Sequence, residues 1–176
     1  SWLERPEREK EEHSTRMIKL LGLKPGMVVA DIGAGSGYHA FPMAKLVGPK
    51  GKVLAVDIQK EMLAIMRKRA KKEGVENVVP SLGTITDPRL PAGSVDLILM
   101  VDVYHEFEHP FEMTLKPGGR LVFVEFRLED AEVPIKLVHK MAQKQVIREM
   151  APHPLRHAKT HDELPWQHVI VFEKKK

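Results

Sequence analysis

The 176-residue sequence predicts one α/β domain, a doubly wound, mostly parallel sheet of seven strands with helices on both faces and a last antiparallel strand. Three observations predict it. Short apolar runs alternate with stretches of helical periodicity, the pattern of parallel strands joined by crossover helices. Residues 94–101 are nearly all apolar, as in a central strand covered on both faces. The chain closes with two strand-like pieces, 155–160 and 168–172, around Leu164-Pro165, the spacing of a terminal hairpin.

A chain of this length buries a full core as one unit, and no shift in composition divides it. Its 28 basic and 24 acidic residues leave a net charge of +4, too small an excess to predict a nucleic-acid partner. Cysteine is absent, which excludes disulfides, Cys-ligated zinc and a cysteine nucleophile. We find no secretory leader and no apolar run approaching the roughly 20 residues that span a bilayer, so we expect a soluble cytoplasmic protein without a membrane partner. The oligomeric state is not legible.

Taken in order, Pro6 suits a first helical turn, and Met17, Ile18, Leu20 and Leu21 give an apolar face before Gly22 and the Lys24-Pro25-Gly26 turn. We expect residues 1–22 to form a helical segment capping the cleft that follows. Val28 to Ile32 are β-branched or small except for Asp31, a strand buried on both faces. Gly33, Gly35 and Gly37 then break it. Glycines in such a loop can take positive φ or let a ligand approach the backbone, and the helix expected over 39–47 offers unpaired N–H groups.

Residues 52–57 form the second strand, 61–72 a helix with Met62, Leu63, Ile65 and Met66 on its apolar face, and 78–82 the third strand. Arg67, Lys68, Arg69, Lys71 and Lys72 read as a solvated face, because no aromatic residues interleave them as an RNA-binding surface requires. The fifth strand spans 120–126, and a helix is expected over 135–150. One span is awkward. Between Val101 and Arg120, Pro110 and Pro117 leave only 111–115 for a crossover helix, so either the crossover is abbreviated or residues are missing near Met113 and Thr114.

Asp57 stands at the end of the second strand, where a carboxylate can accept hydrogen bonds from both hydroxyls of a ribose. A nicotinamide fingerprint would put glycine or alanine where Tyr38 stands. Asp31, just before the first glycine, would repel a pyrophosphate and attract an ammonium group. The ligand these residues imply carries a ribose and an amine.

Over roughly residues 23–126 the chain resembles the class I methyltransferases that use S-adenosyl-L-methionine. Asp31-Ile32-Gly33-Ala34-Gly35-Ser36-Gly37 is similar to the family's Asp/Glu-x-Gly-x-Gly-x-Gly. Asp57-Ile58 is similar to its ribose acid and adenine-packing neighbour, and Leu115-Lys116-Pro117-Gly118-Gly119-Arg120-Leu121 to its turn into strand five. The resemblance implies a Rossmann-like methyltransferase domain over residues 1–176. Its cofactor-binding positions would be Asp31, Gly33, Ala34, Gly35, Gly37, Tyr38, Asp57 and Ile58, with Gly83, Thr84 and Ile85 flanking the adenine and Val101 beside the methionine moiety. Many relatives carry an acid where Thr84 stands. The stretches Val101 to Phe107 and Leu164 to His168 look like those of small bacterial methyltransferases.

A sulfonium loses its charge as the methyl moves, so such an enzyme mainly aligns an acceptor in line and excludes water, without a metal. The Asn/Asp-Pro-Pro-aromatic motif that holds planar amines does not follow strand four, and a thiolate mechanism lacks its cysteine. That leaves an oxygen, nitrogen or activated carbon of a small-molecule acceptor, with nucleic acid disfavoured. RNA, protein and a non-catalytic module that only holds the ligand are the alternatives. His105 and Tyr104, just after strand four, divide between lining the pocket and acting as general base and substrate contact. His105 to His109 also matches His-Glu-x-x-His, but Pro110 ends any helix there, and we read the zinc motif as coincidence.

Overall fold

The computed structural model describes residues 7–103 and 111–176. In chain order the elements are α1 (Arg8–Glu12), α2 (Ser14–Leu20), β1 (Val28–Ile32), α3 (Ala40–Val47), β2 (Lys52–Asp57), α4 (Lys60–Glu73) and β3 (Val78–Leu82). Then follow β4 (Val95–Val101), β5 (Leu115–Arg127), β6 (Lys140–Met141), α5 (Gln143–Met150), β7 (Leu155–His161) and β8 (Gln167–Lys174). The sheet order is β3-β2-β1-β4-β5-β8-β7, with β6 added on β5. Strands β1 to β5 are parallel, and β8 runs antiparallel between β5 and β7. The doubly wound sheet is the one the sequence predicts, with the two-residue β6 as an addition.

Two apolar layers cover the sheet. Met17 and Ile18 of α2, Phe41 and Met43 of α3 and Leu63 and Met66 of α4 pack against Val29, Ala55, Leu97, Leu99, Val122 and Val124. On the opposite face Val146 and Met150 of α5 join Ala30, Ile98, Met100, Phe123, Ile170 and Phe172. Among the described residues the N-terminal segment forms two helices rather than one. His13 takes φ 48°, in the left-handed region, and the break redirects the chain so that Met17, Ile18 and Leu21 reach the core. The basic face of α4 is partly engaged, because the Arg69 guanidinium lies 4.1 Å over the Phe41 ring and bonds Glu73 at 2.8 Å.

Between β4 and β5 the described part of the crossover is Asp102, Val103 and a single 3-10 turn, Phe111–Thr114. Gly93 and Ser94 donate their N–H groups to the carbonyls of Met113 and Thr114, at 3.0 and 2.8 Å. Strand β5 therefore starts at Leu115, five residues before the predicted Arg120, and pairs with Val95 before the 116–119 bulge shifts the register to Leu97 against Arg120. The helix predicted over 135–150 is also corrected. Only Gln143–Met150 is α-helical, because Lys140 and Met141 pair with Phe126 and Arg127 of β5, and a helix cannot share those backbone groups with a sheet.

Candidate cofactor and acceptor site

Strands β1 and β2 pair in register, Asp31 against Ala55 and Ile32 against Val56, so Asp31 and Asp57 emerge at one edge of the sheet and on one face. Both are buried, at 2% and 8% exposure. The chain then folds back: Gly33 and Ala34 donate to the Val56 carbonyl at 2.9 and 3.0 Å, and Gly35 donates to Asp57 Oδ2 at 2.8 Å. Gln59, at the start of α4, donates to Asp57 Oδ1 at 2.8 Å. Asp57 thus ties the glycine turn to the next helix. Each of its oxygens accepts one of these backbone N–H groups and has a further lone pair for a hydroxyl donor.

Gly33, Gly35 and Gly37 take φ 75°, 55° and 88°, so the turn needs residues without a Cβ. Of the two expected reasons, positive φ holds at all three, and close approach of a ligand is not what fills the space at Gly33 and Gly37. A Cβ on Gly33 would lie 2.7 Å from Val103 Cγ1, and one on Gly37 would lie 2.7 Å from Phe41 Cε2. There the protein packs on itself. Gly83 behaves alike, with Val56 Cγ1 at 2.7 Å from its would-be Cβ.

Ile58 and Ile85 are exposed apolar side chains, at 40% and 52%, on the segments that leave β2 and β3 at this edge. Thr84 turns to its own loop: its Oγ1 donates to the Asp87 carbonyl at 3.3 Å and its N–H to the same oxygen at 2.7 Å. Tyr38 lies edge-on to His39 and lines a cavity of about 420 Å³ together with Ser14, Ile18, Pro42 and Arg69. Val101 ends β4, packed against the first core layer, and buried Ala34 continues the turn. His105 and Tyr104, with the His-Glu-x-x-His match, lie outside the described residues. Among the described residues no group of three His, Asp or Glu could hold a metal.

Sequence reasoning missed a second polar layer at this edge. Asp102 takes φ 54° and donates its N–H to the Val124 carbonyl, while its carboxylate accepts the Gln167 side-chain amide. The Arg127 guanidinium donates to the carbonyls of Asp162, Leu164 and Pro165 at 2.7, 2.6 and 3.0 Å, strapping the β7–β8 loop to the end of β5. Beside them His168 pairs with Glu125 across β8 and β5, both fully buried. Burial pushes the His168 imidazole below its ordinary pKa, against the opposing pull of Glu129 and Asp162. Lys140 is 7% exposed. The only sequence signal for this layer was the motif-like Leu164 to His168 stretch.

The family described as "Methyltransferase domain" matches residues 23–170, nearly the whole sheet and the turn at Asp31. The chain belongs to the methyltransferase-domain family. Among curated relatives, it is 36% identical over 106 residues to the protein-L-isoaspartate O-methyltransferase of Methanothrix thermoacetophila, 60% of this chain and 50% of that protein. It is 35% identical over 105 residues to the arsenite methyltransferase of Halobacterium salinarum, 56% of this chain and 27% of that protein. The chain thus spans about half, or less, of the length of these relatives. A solved structure of a SAM-dependent methyltransferase from Aquifex aeolicus superposes with a TM-score of 0.88 at 25% identity, over 97% of this chain and 94% of that one.

S-adenosylmethionine is the cofactor this methyltransferase family implies, and the residues present fit it. Two buried acids flank a glycine turn, and Ile58 and Ile85 offer apolar surface to a flat base at the same edge. A pyrophosphate ligand would meet the charge of Asp31.

Proposed function

We propose that the chain transfers a methyl group from S-adenosylmethionine to an oxygen, nitrogen or activated carbon of a small-molecule acceptor. The bound cofactor supplies an activated methyl on a sulfonium. Asp57 accepts the ribose hydroxyls, Asp31 faces the amino group, and Ile58 and Ile85 hold the adenine. The 33–38 turn, with Gly33, Ala34, Gly35, Gly37 and Tyr38, follows the backbone of the ligand, Gly83 and Thr84 shape the base pocket, and Val101 borders the methionine chain. Residues 1–22 cap the cleft, and residues 1–176 act as one domain. His105 receives a proton where the acceptor arrives as a hydroxyl, with Tyr104 against the acceptor.

The observation that carries the small acceptor is the course of residues 128–142. β5 pairs β8 on one side up to Phe126, and on its other side β4 stops at Val101 opposite Val124. β6 pairs Phe126 and Arg127, so it fills the lane that β4 vacates. Chain from the β5–α5 connection therefore closes the edge beside the acceptor, which suits a compact molecule better than an RNA strand or a folded protein surface. The isoaspartate relatives favour a second reading, a protein carboxylate. Labelled S-adenosylmethionine incubated with the protein and a cell extract, then divided by size, tests both. Label in the small-molecule fraction supports the proposal, and label confined to protein or RNA sinks it.

A further inference from the structure

Lys140 is a buried lysine on the site's face of the sheet. Its exposure is 7%, and among the described residues its hydrogen-bond partner is one backbone carbonyl, that of Asp130 at 2.9 Å. No ion pair of Lys140 occurs among the described residues. Lysine is almost never fully buried unless a carboxylate pairs with it, because the ammonium gives up its hydration. Asp130 meets the ammonium through its backbone oxygen and not its carboxylate, whose Oδ1 accepts the Glu132 N–H at 2.9 Å. An ammonium has three donor protons, and two of these remain for another acceptor.

The register says where that acceptor would sit. Lys140 pairs in parallel with Phe126, so their side chains share a face of the sheet. By the two-residue period Phe126 shares its face with Val124 and Val122, which pack in the same layer as Val29, Leu99 and Val101. Asp31 belongs to that face as well, two residues beyond Val29. Because β6 continues the lane of β4, Lys140 stands two residues past the level of Val101, roughly 7 Å further out along the sheet. It therefore stands beyond the end of β4, on the face that carries Asp31 and Asp57.

We propose that the Lys140 ammonium is an oxyanion subsite of the acceptor pocket, so that the methyl-receiving oxygen is negatively charged in the reacting complex. The inference rests on the methyl-transfer reading above and narrows its acceptor to a carboxylic acid or an acidic hydroxyl such as a phenol. A lone pair of the acceptor oxygen forms the O–CH₃ bond while the C–S bond breaks and leaves its electron pair on sulfur. A carboxylate arrives ionised and gives up no proton. A hydroxyl passes its proton to a general base, and Lys140 stabilises the anion that remains. The product oxygen, now an ester or ether, carries no charge, so its attraction to Lys140 ends with the transfer.

The test is calorimetric titration of the protein saturated with S-adenosylhomocysteine, using acetate, benzoate, 4-nitrophenolate, inorganic phosphate and neutral benzamide as probes. Wild type should bind benzoate or 4-nitrophenolate and ignore benzamide. Lys140→Met and Lys140→Gln should weaken that binding by about tenfold or more. Lys140→Gln keeps a donor for the Asp130 carbonyl and guards against a folding defect. S-adenosylhomocysteine affinity should stay within about threefold of wild type in both variants. No binding of any carboxylate or phenolate, binding of phosphate alone, or equal binding by the variants overturns the inference. Failure of wild type to bind S-adenosylhomocysteine would instead strike the methyl-transfer reading itself.

Discussion

The side-chain amide of Gln167 donates to both carboxylate oxygens of Asp102, at 2.8 and 3.0 Å, across 65 residues of chain. Asp102 is the first residue after β4 and takes a left-handed φ of 54°, which costs a residue with a Cβ roughly 1 to 2 kcal/mol. The contact offsets that cost and fixes the direction of the next residue, Val103, whose Cγ1 fills the space over Gly33. The terminal hairpin and the glycine turn are thereby linked through two side chains.

Replacing Gln167 with Leu removes the amide while keeping most of the volume. Unfolding in urea should show a loss of about 1 to 3 kcal/mol, the cost of taking a partner from a half-buried carboxylate. S-adenosylhomocysteine affinity should fall as well, since Val103 loses its support against Gly33. A variant with wild-type stability and affinity would reduce the contact to an incidental one.

Asp57→Ala should weaken S-adenosylhomocysteine by about 1.5 to 3 kcal/mol, through lost charge-assisted hydrogen bonds to the ribose. The structure adds a second effect. Asp57 also accepts the N–H groups of Gly35 and Gln59, so the variant should lose stability, by about 1 kcal/mol, before any ligand is present. Asp57→Asn retains one acceptor oxygen and should fall between. NAD should leave the melting temperature of every form unchanged, and unchanged cofactor affinity in the alanine variant would remove Asp57 from the site.

The strands that carry this site were legible because each is a short β-branched run between turn residues, and Asp31 and Asp57 stood out as acids at the ends of two of them. The 135–150 stretch was misread because Ile135, Leu137, Val138 and Met141 mimic an apolar helical face. Leu137 and Val138 are in fact 71% and 74% exposed, and Met141 belongs to a strand too short to have a period. At Gly33 and Gly37 the expected positive φ holds, but what excludes a Cβ there is not a ligand: it is Val103 and Phe41, one of them seventy residues away. Lys140 had no signal at all. One lysine among 28 basic residues becomes informative only when burial and register are known.

His168 should make stability depend on pH. Its Nε2 is buried without a hydrogen-bond partner among the described residues, and burial holds its folded pKa below the ordinary value near 6.5. Below that value the unfolded chain binds a proton that the folded one refuses, so stability falls as pH drops through about 6.5 toward the lower folded pKa. Above it both forms are neutral and the effect vanishes. His168→Phe keeps the ring volume without the titrating nitrogen. Denaturation between pH 5 and 8 should show a shallower slope in the variant, and an identical slope would assign the acid lability to other groups.

The remaining prediction concerns His105, whose proposed role depends on how the acceptor oxygen loses its proton. With a hydroxyl acceptor, His105→Ala should lower turnover by roughly 10² while cofactor affinity stays near wild type, because the proton must then leave without a positioned base. The deficit should shrink as pH approaches the pKa of the acceptor hydroxyl, where solvent has already done the work. Lys140 sharpens the comparison. An ammonium beside the oxygen lowers the pKa of the bound hydroxyl, so Lys140→Gln should move the pH at which the His105→Ala deficit closes to higher values. The pH profiles of the two single variants and the double variant measure that displacement. Turnover close to wild type in His105→Ala at saturating hydroxyl acceptor, across the whole pH range, would leave His105 as a wall of the pocket and assign proton removal to solvent.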